Sequence, residues 1–184
     1  PVEWYLSIFP KRDILELPVD ATWDVSGWDF PKTLQLFAKS NPPLLEWLRS
    51  PIVYVDRFAI RQKLQDLMSE FFRPQSCIHH YLHMAKGNYR EYLQGEMVKL
   101  KKYFYVLRPI LACKWIEERN AMAPMEFQSL LDTQVHDPSL RAIIDDLLAR
   151  KSAGDELEEG ARIPAINDFL EREIAHFGEY VRQI

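Results

Sequence analysis

The stretch VKLKKYFYVLRPILACKW, Val98 to Trp115, decides the fold. Within it Leu100, Phe104, Leu107 and Leu111 recur at spacings of four, three and four, the signature of a helix that turns one apolar stripe toward a core. Lys101, Tyr105 and Arg108 follow the same spacings one residue on, so they line the edge of that stripe. Lysine supplies a compact charge, arginine a planar fork matched to phosphate oxygens, and tyrosine a ring or hydroxyl. Together they suit a nucleotide or another phosphorylated ligand. The alternative is a solvated basic face whose long stems cover apolar surface. The expected helix runs on through IEERN to Asn120.

Working outward, helical periodicity holds from Arg57 to the end of the chain. RFAIRQKLQDLMSEFF and SCIHHYLHMAKGNYREYLQG precede the central stretch. PMEFQSLLDTQV, PSLRAIIDDLLARKSAG and IPAINDFLEREIAHFGEYVRQI follow it. SAGDELEEGARIP, acidic and glycine-containing, reads as an exposed loop, with Gly154 stopping the helix before it. The texture differs upstream. RDILELPV, ATWDVSGWD and PIVYV read as two or three short strands. Between them, DFPKTLQLFAKSN has Asp29 as an N-cap and Pro31 in the first turn, and PLLEWLRS makes a second short helix. In that second helix Leu44, Leu45, Trp47 and Leu48 are the expected anchors on the sheet. The Lys39-Ser40-Asn41 corner before it is read as a cap, with contact to a ligand as the other option. The expected class is α+β, with residues 1–56 holding the strands and residues 57–184 a larger all-helical domain.

Composition narrows the function classes. At 184 residues and 47% hydrophobic the chain buries a sizeable core. A net charge of −4 argues against a surface that grips nucleic acid everywhere and leaves room for a local basic patch. Two cysteines, Cys77 and Cys113, make no disulfide scaffold and suit a reducing cytoplasm. The longest apolar run, YFYVLRPILAC, is interrupted by Arg108 and Pro109 and falls short of the roughly 20 residues of a membrane helix. No membrane insertion or export is expected.

Asp24, on a presumed strand between Trp23 and Val25, is a carboxylate able to hold a divalent metal or take a proton from an attacking hydroxyl; a turn aspartate is the alternative. His79, His80 and His83 stand close enough to suggest a metal, but they lack the glutamate of a metalloprotease helix and an obvious third ligand. There is no Gly-x-Ser-x-Gly elbow, and the six glycines are scattered instead of forming a phosphate loop.

Three ordered stretches, DVSGWDFPKTLQLFAKSNPPLLEWLRSPIVY, YLHMAKGNYREYLQG and VKLKKYFYVLRPILACKWIE, resemble a family of bacterial nucleotidyltransferases in the DNA polymerase β superfamily. The resemblance covers nearly the whole chain and is stronger up to Glu118. It implies a small mixed sheet with flanking helices, joined to a helical domain that helps bind a nucleoside triphosphate. It also implies two Mg²⁺ ions held by an Asp-x-Asp pair and a third carboxylate, behind a Gly-Ser helix start. Carried onto this chain, the third carboxylate is Asp24, as catalytic and metal-binding residue, with Asp29 the lesser claimant. Lys101, Lys102, Tyr105 and Arg108 face the nucleotide.

Neither Gly-Ser nor Asp-x-Asp occurs in the chain, and its first residue is Pro1. The expectation is therefore an enzyme shortened at its N-terminus and inactive alone, whose uncovered strand edges promote homo-oligomers. Residues 1–56 then correspond to the C-terminal part of the catalytic core and residues 57–184 to the nucleotide- or substrate-binding domain. The acceptor hydroxyl belongs to RNA, a protein or a small molecule. Two further readings remain: a nucleotide- or RNA-binding module without catalysis, and a helical interaction protein with no small ligand.

Overall fold

A computed structural model describes residues 6, 8–9, 13–18, 24–154 and 157–183; the side chains of Leu15, Leu17, Pro18 and Asp24 are outside that description. Trp23 and most of PVEWYLSI also lie outside the described residues. The first described elements are strands β1 (Ile14–Pro18) and β2 (Asp24–Trp28), paired antiparallel with Ile14 opposite Trp28 and Pro18 opposite Asp24. Helix α1 (Phe30–Ala38) begins where Asp29 accepts a hydrogen bond from the Lys32 amide at 2.9 Å. That bond satisfies one of the orphan donors of a first helical turn.

Helix α1 stops at Ser40, which takes a left-handed backbone with φ 52°. Ser40 is buried, and its hydroxyl donates to the Phe71 carbonyl at 2.7 Å while accepting from the Arg73 amide at 2.8 Å. The corner is thus a structural joint. Asn41 caps helix α2 (Pro42–Arg49), accepting from the Leu44 amide at 3.3 Å. Leu44, Leu45 and Leu48 are buried. Trp47 is half-exposed and stacks on Trp28 with ring centroids 4.3 Å apart, which docks the hairpin on the helix.

PIVYV forms no strand: residues 51–56 are exposed throughout and pair with no described strand. Strand propensity expresses fit to a half-buried pleated surface, and these exposed residues have no such fit. Packing crosses from this region to the next, because Arg61 donates to the Leu48 carbonyl at 2.7 Å and to the Ser50 carbonyl at 2.9 Å. RFAIRQKLQDLMSEFF gives two short helices in place of one, α3 (Ile60–Asp66) and α4 (Met68–Phe71).

Helices α5 (Pro74–Tyr92) and α6 (Lys102–Arg119) form the central pair. Leu100, Phe104, Leu107 and Leu111 are all buried as their spacing requires. Burial of α6 extends further, however, because Tyr103, Val106, Ile110, Ala112 and Cys113 are also 0% exposed. A helix buried nearly all round belongs to the centre of a core, and each fully buried large side chain contributes about 1.5–3 kcal/mol. Tyr105 and Arg108 remain on its open edge.

Between α5 and α6 the expected helix start is instead a strand. β3 (Met97–Lys99) pairs antiparallel with β4 (Glu159–Ala161), so part of the presumed acidic loop is an ordered ribbon with Leu157 buried beside it. Helices α7 (Phe127–Gln134), α8 (Pro138–Ser152) and α9 (Pro164–Gln183) complete the described fold. Asn167 of α9 is fully buried at the junction of three helices. It accepts from the Tyr103 hydroxyl at 2.6 Å and donates to the Leu93 carbonyl at 2.9 Å and to the Tyr89 hydroxyl at 3.1 Å. Mostly helical with short antiparallel strands, the chain is α+β.

Candidate functional site

The open edge of α6 borders a cavity of about 260 Å³ lined by Tyr81 and Met84 from α5, Phe104, Tyr105, Arg108 and Pro109 from α6, and Lys151 from α8. It has an aromatic and apolar wall with a cation on each of two helices. The Lys151 ammonium sits 4.7 Å from the centre of the Phe104 ring. Arg108 donates through Nη1 to Glu46 Oε1 at 2.9 Å, and the Tyr81 hydroxyl donates to the same oxygen at 2.6 Å. Burial, reinforced by the negative charge of Glu46, pushes the Tyr81 hydroxyl far above its ordinary pKa, so it stays a donor.

Tyr105 and Arg108 thus come together in one groove. Lys102 stands at its rim, with its ammonium 4.0 Å from the Tyr92 ring and 4.6 Å from the Tyr105 ring. Such cation–π contacts hold a lysine in place while leaving its hydrogens for an anion. Lys101 precedes the helix and is exposed, with its backbone amide bonded to the Leu157 carbonyl at 3.1 Å; it does not line the groove. Lys151, Glu46 and Tyr81 were not singled out from sequence. Glu46 carried a signal, as a lone carboxylate within the apolar run LLEWL. Lys151 carried none, since only the packing of α8 brings it to α6.

Asp24 begins β2, opposite Pro18, and its side chain lies outside the described residues. Asp29 is occupied as the cap of α1. Among the described residues no group of three or more His, Cys, Asp or Glu is placed to hold a metal ion. His79, His80 and His83 are not among any group placed to hold a metal ion. His79 borders a separate cavity with Gln75, Ser76 and Val181, while burial lowers the pKa of His80. Cys77 and Cys113 are both buried. Burial, then the charge of Glu46, pushes the Cys77 thiol up to about 12, and burial raises Cys113 too, so neither is a ready nucleophile.

Comparison with known proteins decides the family. The model of the RNA repair pathway DNA polymerase beta family, RlaP, matches residues 1–184. The chain belongs to that family. It is also similar to the uncharacterized protein YcgL of Bacillus subtilis (strain 168), at 49% identity over 182 residues, covering 99% of this chain and 70% of YcgL. No solved structure matches. Membership of RlaP agrees with the polymerase β resemblance carried by the three ordered stretches, and it puts the α6 groove in a nucleotidyltransferase-like family. Among the described residues of this RlaP chain, no helix is long and apolar enough to cross a membrane.

Proposed function

We propose that this chain carries the nucleotide-holding face of a nucleotidyltransferase that moves a nucleoside monophosphate from a nucleoside triphosphate to a hydroxyl acceptor. RNA is the acceptor class that the family's description favours. The observation that carries this reading is the groove on α6, where aromatic surface and two cations from different helices converge in a chain of polymerase β type. In this reading the base rests against Tyr105 and its neighbours, Arg108 and Lys151 take phosphate oxygens, and Lys102 with Lys101 extends the positive field toward the start of α6.

In the transfer, the acceptor oxygen forms a bond to the α-phosphorus as the bond to the bridging oxygen breaks. Pyrophosphate leaves, and the hydroxyl proton passes to a carboxylate, for which Asp24 is the candidate on this chain. Each of the four nucleoside triphosphates should be titrated into the protein and into Arg108→Ala and Lys151→Ala. Pyrophosphate release should then be followed with an oligoribonucleotide bearing a free 3′ hydroxyl. Saturable binding weakened about tenfold by Arg108→Ala is expected from the loss of a charge-assisted hydrogen bond. Binding without pyrophosphate release is the outcome for a nucleotide-holding face that lacks the Asp-x-Asp pair. Release by this chain alone would show that it carries out transfer without that pair, and no binding removes the groove from consideration.

A further inference from the structure

We propose that Glu46 is the residue that aims Arg108 at the phosphates of a bound nucleotide, a positioning role that rests on reading the α6 groove as the nucleotide site. A single oxygen of Glu46 holds both the Arg108 guanidinium at 2.9 Å and the Tyr81 hydroxyl at 2.6 Å. The carboxylate is therefore fixed from the buried side by Tyr81 and fixes arginine on the open side. Its own helix is rigidly seated, with Leu44, Leu45 and Leu48 buried and Asn41 capping the first turn.

A guanidinium carries five N–H donors in one plane, and the bond to Glu46 uses one nitrogen of the fork. The remaining donors stay available to the groove, whose wall includes Arg108 itself. An arginine already held in position loses less freedom when it meets a phosphate than one that must be ordered by the ligand. Glu46 also offsets the charge of Arg108, and that effect alone weakens anion binding. Positioning and neutralisation therefore predict opposite signs when the carboxylate is removed.

The test titrates ATP, GTP, CTP and UTP calorimetrically into wild type, Glu46→Ala, Glu46→Gln, Arg108→Ala and the Glu46→Ala/Arg108→Ala double variant. Positioning predicts about a tenfold loss in Glu46→Ala. It also predicts near-wild-type affinity in Glu46→Gln, whose amide oxygen still accepts from Arg108, and no added loss when Glu46→Ala is combined with Arg108→Ala. Unchanged or tighter binding by Glu46→Ala, or a loss that adds to that of Arg108→Ala, overturns the proposal. If thermal melting shows that Glu46→Ala does not fold, Glu46→Asp decides in its place: the charge remains but the shorter arm withdraws it. Weakened binding then supports positioning, and unchanged binding overturns it. If wild type takes none of the four nucleotides, or Arg108→Ala binds like wild type, the groove reading itself has failed and this role falls with it.

Discussion

Asn167 shows how much one side chain can hold together. Fully buried, it satisfies Tyr103, Tyr89 and the Leu93 carbonyl, and the Tyr103 hydroxyl in turn accepts from the Ile163 amide at 2.9 Å. Replacing Asn167 with alanine strands several polar groups away from water, each of which costs free energy that the folded state cannot recover from solvent. We expect Asn167→Ala to lower unfolding stability by about 3 kcal/mol in urea titrations. A change below about 0.5 kcal/mol, the range of an ordinary surface substitution, would show that this polar junction does not hold the helices. Nothing in AINDFL distinguishes Asn167 from a solvated residue. Only the apolar neighbours Ile166, Phe169 and Leu170, all buried, mark the face it belongs to.

At the scale of the element, the periodic helices and the five-residue strands in RDILELPV and ATWDVSGWD are legible in the sequence, and the three-residue strands are not. Asp29 and Asn41 cap the helices that their sequences announce, because caps are set by residues within a few positions. The ribbon of β3 and β4 is not legible locally, because three-residue strands in MVK and EGA are too short to show alternation and each exists by virtue of a partner some 60 residues away. For the same reason PIVYV, well suited to a strand by composition, remains unpaired. The ribbon packs closely where Gly160 faces Leu100, and a methyl group added at Gly160 would lie 2.8 Å from Leu100 Cδ1 and 3.1 Å from its Cγ. Gly160→Ala should therefore cost about 1–3 kcal/mol through overpacking, and adding Leu100→Val should recover part of it. Equal stability of Gly160→Ala and wild type would mean that the ribbon yields freely.

On the scale of the whole molecule, an acidic chain with a net charge of −4 presents a local positive face made of Lys102, Arg108 and Lys151. Two of those three cations are named from the sequence, Arg108 by its helical spacing from Tyr105 and Lys102 by the family resemblance. The rest, Lys151 and the Glu46 brace, depends on α8 and α2 meeting α6, which no local pattern encodes. If single-stranded RNA follows this face, the logarithm of its binding constant falls with the logarithm of salt concentration by about 0.7 for each phosphate neutralised. Lys102→Ala/Lys151→Ala should flatten that slope by about 1.4, measured by fluorescence anisotropy across a salt series. An unchanged slope would remove both lysines from the RNA path. The stacked indoles of Trp28 and Trp47, 4.3 Å apart and tilted by 17°, bear on a different kind of experiment. Two aromatic chromophores held that close couple their electronic transitions and give a paired positive and negative band in circular dichroism. The molecule thus contains its own optical gauge of whether the hairpin is seated on α2, legible during unfolding or titration without any attached dye.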